Sequence, residues 1–337
     1  MIPLPAARGP LSTALLAALT RPPHDLPPIP VATRDALTDE DLLLSLHVCY
    51  ELHYRGLGGV PEEWEWQPSL LALRARLEAP LAAALAALAA DRLAAAGLAD
   101  VAPGDVPRAL AGLAADDDGA AVSPYVQRRA TLEQVRELLV HRSVYQLKEA
   151  DPHTWAIPRL AGRPKAALVE IQTDEYGNGR PELMHSTLFA SAMRELGLDD
   201  GYGRYVDRVP AVTLATSVTA SYFGLHRSRR GAIAGHLAAL EMTSSIPMRR
   251  YGAGLRRLGL GPAATRFFDE HVEADAVHEQ VAAHDLCGAL VAAEPALVGD
   301  VLLGAAACLA LDDRQAAHLL HHWERGACSL RTVPAAA

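Results

Sequence analysis

The chain of 337 residues is half hydrophobic and only 5% aromatic, a composition that favours packed helices over strands. Its formal net charge of −9 comes without a basic block, so nucleic acid is not an expected partner. The four cysteines form no C-x-x-C pair, which argues against a disulfide framework or a thiolate zinc site and fits a protein of the reducing cytoplasm.

Prolines dominate the beginning of the chain. They occur at Pro22, Pro23, Pro27, Pro28 and Pro30. This composition predicts an extended arm over residues 1–37. Earlier prolines at positions 3, 5 and 10 interrupt the apolar segment that an export signal would need. Ordered structure is therefore predicted to begin near Thr38.

Residues 38–125 are predicted to form an N-terminal helical extension. Thr38 can cap a first helix, and a second helix is predicted over about 68–98. Asp91 and Arg92 lie in the apolar middle of that second helix, which argues against a membrane span. The apolar faces of both helices must be covered, so they are expected to be buried in the chain or to face a partner, such as a second copy in a homodimer.

The remaining residues, 126–330, keep helical periodicity after an acidic loop at 116–119. Thr131 opens a helix that is predicted to reach Glu149, and Pro152 prevents its continuation. Further helices are predicted from 164 to a break at 177–179 and over about 185–196, 210–222, 229–244, 246–258, 262–284 and 295–324. No segment shows strand alternation and no fixed-period repeat occurs, so the predicted fold class is all-α.

One predicted helix carries three groups that can bind a metal. His271, Asp275 and His278 stand at i, i+4 and i+7, so their side chains leave one face of the helix. Imidazole and carboxylate ligands together suit iron, manganese or zinc, and di-iron centres in helical bundles are built from such residues. A polar stripe at this spacing is also typical of a solvated helix face, so the rest of the chain must decide.

Other polar residues occur inside otherwise apolar helices. They are Glu149, Glu175, His185 and Glu241. Burying a carboxylate in such surroundings costs several kcal/mol unless it is paired or binds a metal. Each could also be an ordinary surface charge, but together they would bring carboxylates and imidazoles from four helices into one core. His318, His321 and His322 also share a helical face and are expected to be surface or packing residues.

Four segments carry these residues in a distinctive order. They are KEADPHTWAIPRL (148–160), EIQTDEYGNGRPELMHSTLF (170–189), LEMTSS (240–245) and EHVEADAVHE (270–279). The chain from about Thr131 onward resembles the heme-oxygenase-like di-iron oxidases and oxygenases, also described as iron-containing redox enzymes. The resemblance implies a heme-oxygenase-like helical bundle over 126–330, with two irons in place of heme. The metal ligands that it implies are Glu149, Glu175, His185, Glu241, His271, Asp275 and His278.

The second segment contains competing carboxylates. Glu175 and His185 cannot share one face of a continuous helix, and Glu170 and Asp174 are alternatives to Glu175. Glycines at 177 and 179 permit a break that resets the helical phase. The resemblance, and not the periodicity, selects Glu175. Glu241 matches a carboxylate that some family members use as an additional ligand.

The implied function is oxygen activation at a non-heme di-iron centre. Two Fe(II) ions per chain would bring four positive charges, and the four implied carboxylates would bring four negative ones, which gives a neutral site that is cheap to bury. O2 is the expected co-substrate, and the expected substrate is a small organic molecule such as an amine or amino-acid derivative. An external electron donor is compatible with this chemistry, and no membrane partner is expected.

Two other classes of function stay open at this point. A heme-oxygenase-like fold without di-iron chemistry would be a cofactorless oxidase or a thiaminase-like enzyme, and it would need a catalytic cysteine or a basic pocket. The other alternative is a non-catalytic helical protein that binds metal or a partner. Counting iron after anaerobic reconstitution separates these readings from the oxidase.

Overall fold

A computed structural model describes residues 2–115 and 122–332, apart from the side chains of 273–277. Within these residues the chain is helical with no strand, and the one β-bridge joins Ile2 to Leu57. The all-α prediction is confirmed. The predicted acidic loop at 116–119 and the side chain of Asp275 lie outside the described residues.

The N-terminal part contains more ordered structure than its prolines indicate. Its helices are α1 (Pro10–Leu19), α2 (Glu40–Glu51), α3 (Pro68–Ala95), α4 (Val106–Ala115) and α5 (Val122–Arg128). The prediction of an extended arm over 1–37 is wrong for α1. Pro10 occupies the first turn of that helix, where proline is tolerated because no intrahelical donor is needed there. The backbone amides of Leu11 and Ser12 donate to the Asp41 carboxylate at 2.8 and 2.7 Å, which ties α1 to α2.

The remaining helices follow the predicted order closely. They are α6 (Leu132–Gln146), α7 (Asp151–Thr154), α8 (Gly162–Glu175), α9 (His185–Glu195), α10 (Ala211–Leu225), α11 (Arg230–Thr243), α12 (Ser245–Arg257), α13 (Pro262–Gln280), α14 (Ala289–Ala293) and α15 (Val298–Trp323). Thr131 caps α6 in a reciprocal capping box with Gln134, as its position predicts. A π-helical segment, Val281–Gly288, continues α13 and packs against α8 and α11.

The centre of the bundle is the crossing of α11 and α15. A Cβ atom on Gly235 would lie 1.9 Å from the Val301 carbonyl oxygen, and one on Gly304 would lie 1.9 Å from that of Ala232. Only glycine permits this approach of two helix backbones. The segment 295–323 is long and apolar enough to cross a membrane, but 61% of its apolar window is buried inside the protein, as is usual for a core helix.

The extension and the bundle share one hydrophobic core. Leu43 and Leu77 from the extension belong to the same buried cluster as Val144 and Leu214 from the bundle. The apolar faces of α2 and α3 are therefore covered by the chain itself. A smaller second cluster contains Phe267 together with residues of α6, α9 and α12.

Candidate metal centre

Glu149 lies in a turn and not in a helix. The predicted helix to Glu149 ends at Gln146, because a tight turn over 147–150 brings Ala150 to a φ of 74° before the proline at 152. Gln146 Nε2 donates to Glu149 Oε1 at 2.8 Å, and Arg55 Nη2 donates to the Leu147 carbonyl oxygen at 3.1 Å. These bonds hold the turn and direct the carboxylate into the bundle.

The glycine break after α8 brings Glu175 and His185 together. Gly177, Asn178 and Gly179 all have positive φ values, of 63°, 54° and 77°. A Cβ at Gly177 would lie 2.6 Å from the Leu183 carbonyl carbon, so this turn requires glycine. The reversal places His185 Nδ1 at the start of α9, 3.1 Å from Glu175 Oε2 at the end of α8. Burial alone would raise the pKa of Glu175, but His185 holds that pKa below its usual value.

The competing carboxylates of α8 point elsewhere. Glu175 is buried, whereas Glu170 is exposed to solvent. Asp174 is half-buried and contacts the site indirectly, because its Oδ2 accepts a hydrogen bond from His278 Nε2 at 3.0 Å. The sequence did not assign this role to Asp174, although its position next to Glu175 had singled it out.

Helix α13 presents two histidines in defined orientations. His271 Nδ1 donates to the Phe267 carbonyl oxygen at 2.8 Å, which directs Nε2 toward Glu149 Oε1, 3.5 Å away. His278 Nε2 donates to Asp174, which directs Nδ1 toward Glu241 Oε2 at 3.3 Å. In both rings the outer nitrogen has a fixed acceptor, an arrangement that orients metal-binding histidines in proteins.

The described donors form two adjoining groups. One contains Glu149, His185 and His271, and the other contains Glu175, Glu241 and His278, each with its ligand atoms within 4.8 Å of one another. The Glu175–His185 contact joins the two groups, and the His185 and His271 rings lie 4.4 Å apart. Six of the seven implied ligands therefore converge. The seventh, Asp275, is on the same helix as two of them.

Several buried ligand atoms at this site make no well-formed hydrogen bond. They are Glu149 Oε2, Glu175 Oε2, His185 Nδ1 and His278 Nδ1. The Glu175 and His185 atoms lie 3.1 Å from each other, and the His278 atom lies 3.3 Å from Glu241 Oε2, so these three meet only ligand atoms of the same cluster. Such groups are rare in proteins because leaving one unsatisfied costs about 1–3 kcal/mol, and more for a charged group. Although burial opposes its charge, Glu241 and Asp174 raise the pKa of His278 to about 9. The carboxylates thus favour a positive charge at His278, and a metal cation beside them would meet the same demand.

A cavity of about 150 Å³ opens onto these residues. Its lining includes Glu149, Glu175, Glu241 and His271, together with apolar side chains such as Leu138. A benzene-sized molecule fits a volume of this order. The site therefore combines a cluster of metal-binding groups with enclosed space for a small organic molecule.

The cavity also contains polar residues that the sequence motifs did not identify. His153 and His236 are buried and joined by a contact of 3.1 Å between Nε2 and Nδ1, and burial lowers the pKa of His236 to about 4. Arg142 and Asp312 occupy another part of the wall. Helical spacing gave no signal for Arg142, because it lies in α6 whereas Glu149 lies in the turn after that helix.

Together the fold and the site define an all-α protein with a carboxylate–histidine metal centre inside a helical bundle. Residues 136–313, which are 178 of the 337 residues, match the family model described as iron-containing redox enzyme. The chain belongs to this family and is an oxidoreductase. The expected heme-oxygenase-like fold is confirmed by the family match and the helical architecture.

One curated protein is also similar to this chain. It is the nitrosourea synthase of Streptomyces achromogenes subsp. streptozoticus, 27% identical over 147 residues. The aligned region covers 44% of this chain and 31% of that synthase. The chain thus matches less than a third of the synthase's length.

Proposed function

We propose that this protein is a non-heme di-iron oxidase or oxygenase that activates O2 to oxidise a small organic substrate. The observation that carries the proposal is the pair of three-donor groups, Glu149–His185–His271 and Glu175–Glu241–His278, in which four buried ligand atoms make no well-formed hydrogen bond. One metal ion beside each group would satisfy those atoms. Family membership favours iron as that metal.

The charges fit two Fe(II) ions. Three carboxylates lie in the two groups, and Asp275 on α13 is the proposed fourth. Four negative charges would balance two divalent ions, and three histidines would complete a neutral site. Imidazole and carboxylate are also the ligand types that suit non-heme iron.

The bound iron pair would supply electrons to O2, and the remaining work falls to the chain. The Phe267 carbonyl oxygen and the Asp174 carboxylate fix the outer nitrogens of His271 and His278, so both rings are already oriented. The cavity next to the ligand cluster would hold the substrate. His153 and His236 are buried, and burial lowers the pKa of both, so they remain neutral in the cavity wall.

Metal counting tests this proposal. The purified chain is stripped with a chelator, reconstituted with Fe(II) under nitrogen, freed of unbound metal, and assayed for iron and for O2 uptake on mixing with air-saturated buffer. Two irons per chain with rapid O2 uptake would support the di-iron proposal, and one iron per chain would replace it with a mononuclear site. No bound iron would remove it and favour the thiaminase-like alternative, for which Cys308 in the cavity wall offers a thiol.

A further inference from the structure

The cavity has a charged end that the metal cluster does not use. Helix α6 lines it with Arg142 and Tyr145, and α15 lines it with Cys308, Asp312 and Ala316, which follow helical spacing. Arg142 lies within α6 and Glu149 lies in the turn that follows this helix, and both side chains line the cavity. A half-buried arginine and a solvent-accessible aspartate thus border the same cavity.

Arg142 has an incomplete set of partners. Its Nη2 donates to the Tyr251 hydroxyl at 3.3 Å, and its guanidinium carbon lies 5.0 Å from the centre of the Tyr251 ring. Its Nε is buried and makes no hydrogen bond, and among the described residues Asp312 and Glu149 act on its charge only from a distance. Although burial opposes its charge, Tyr251 and Asp312 raise the pKa of Arg142 above the ordinary value. The side chain is therefore a permanent cation with a free donor.

Asp312 is the complementary group. Among the described residues its carboxylate makes no hydrogen bond or ion pair, whereas the adjacent Asp313 pairs with Arg92 outside the cavity. Desolvation by the surrounding cavity wall raises the pKa of Asp312, and Arg142 opposes this shift. The two charges influence each other but do not meet, so the space between them suits a ligand that carries both signs.

We propose that this end of the cavity binds the backbone of a free α-amino acid, with the carboxylate on Arg142 and the ammonium group on Asp312. The amino-acid side chain then extends between Leu138, Met248 and Leu319 toward the ligand cluster. A volume of about 150 Å³ limits the ligand to a small or medium amino acid. The claim that the amino acid is the substrate rests on the proposed oxidase function. The claim that the cavity binds an amino acid does not.

Three probes of equal chain length separate the two contacts. L-Norvaline carries both charged groups, pentanoate carries the carboxylate alone, and pentylamine carries the ammonium group alone. Binding of each to the full-length protein is measured by calorimetry under nitrogen, with and without Fe(II). Norvaline should bind tightest in both conditions, because it alone satisfies Arg142 and Asp312 together.

Each variant should weaken only the probes that use the altered side chain. Arg142→Gln should weaken norvaline and pentanoate by about 10- to 100-fold, the range for a lost charge-assisted hydrogen bond, and leave pentylamine unchanged. Asp312→Asn should weaken norvaline and pentylamine and leave pentanoate unchanged. Arg142→Lys should restore part of the pentanoate binding. Arg108→Gln, at an arginine whose side chain is 83% exposed on α4, is the control for loss of one positive charge.

Several results would overturn the assignment. These are absence of binding by all three probes, equal binding of all three, or norvaline binding that survives Arg142→Gln. If pentanoate binds only when Fe(II) is present and Arg142→Gln does not matter, the carboxylate is held by the metal. Helicity of each variant is checked by circular dichroism, and Asp312→Asn and Arg142→Lys keep the test decisive if Arg142→Gln does not fold.

The outcome of the norvaline binding experiment is independent of the outcome of iron counting. Two irons per chain without norvaline binding would remove the amino-acid site and keep the di-iron oxidase. Norvaline binding that depends on Arg142 in a chain that takes up no iron would keep the amino-acid site and remove the oxidase.

Discussion

Two buried polar clusters contain residues that are adjacent in the chain, Lys148 in the first and Glu149 in the second. The clusters differ in how their charges are balanced. Lys148 Nζ lies 2.6 Å from Glu51 Oε1, and the other oxygen of Glu51 accepts a bond of 2.7 Å from the Tyr202 hydroxyl. Lys148 is 1% exposed and Glu51 is fully buried, so this cluster is closed by the protein itself. The next residue, Glu149, belongs to the second cluster, where its Oε2 has no hydrogen-bond partner.

The difference shows what each cluster can do. A buried carboxylate that meets a lysine and a tyrosine is satisfied, and it joins α2 of the extension to the bundle. Despite complete burial, Lys148 lowers the pKa of Glu51 below its usual value. The second cluster has carboxylates and imidazoles but no lysine or arginine among its described ligands, so the missing positive charge must come from protons or a metal.

The largest effect should follow removal of a histidine from the second cluster. His271→Ala or His278→Ala deletes one of three nitrogen donors, and we expect Fe(II) affinity to fall by more than roughly 100-fold, because loss of an outer partner alone costs 10- to 100-fold. Iron is counted after anaerobic reconstitution, and helicity is followed by circular dichroism. His318→Ala, which removes a half-buried histidine outside the cluster, is the control. Full iron loading in either ligand variant would show that the cluster is not the iron site.

A pair of glutamates on one helix tests the same cluster more selectively. Glu175→Ala removes a buried carboxylate that contacts His185, and we expect Fe(II) affinity to fall by roughly 100-fold and O2 uptake to fall with it. Glu170→Ala removes an exposed carboxylate from the same helix and should leave both measurements nearly unchanged. The opposite pattern would mean that α8 supplies a different ligand.

Substitutions in the first cluster should lower the stability of the fold and leave iron binding unchanged. Lys148→Met leaves Glu51 buried and unpaired, and we expect unfolding in urea to require about 3–5 kcal/mol less free energy. The double variant Glu51→Leu with Lys148→Met should recover much of this loss, since no charge is then buried. The exposed Arg108–Asp105 pair is the control, because Arg108→Met should change stability by less than about 1 kcal/mol. Loss of iron from folded Lys148→Met would contradict the separation of the clusters.

The smallest effect should come from the outer partner of His278. Asp174→Ala removes the acceptor of His278 Nε2 without removing a proposed ligand, and we expect Fe(II) affinity to fall by about 10- to 100-fold. Asp174→Asn keeps an acceptor oxygen and should lose less. Affinities come from anaerobic Fe(II) titration with a competing chelator. Equal affinity in Asp174→Ala and in the natural protein would remove the positioning role.

Local rules account for most of the helix boundaries. Proline, glycine and capping residues act within a few positions, and helical spacing predicted the all-α class, the order of the helices and the break at 177–179. The same rules placed Pro10 in an extended arm, whereas tertiary contacts with Asp41 stabilise α1. They also extended the helix to Glu149, which the structure places in a turn.

The sequence by itself determined which residue types were available for a metal site and, through the family resemblance, which seven positions to expect. Only the tertiary structure decided that Asp174 orients His278, that Lys148 belongs to a different cluster from Glu149, and that Arg142 and Asp312 border one cavity. Spacing along one helix reports the face on which a side chain lies. The residue that this side chain contacts lies on another helix, often more than a hundred residues away in the chain. Which residue it is depends on how the two helices cross.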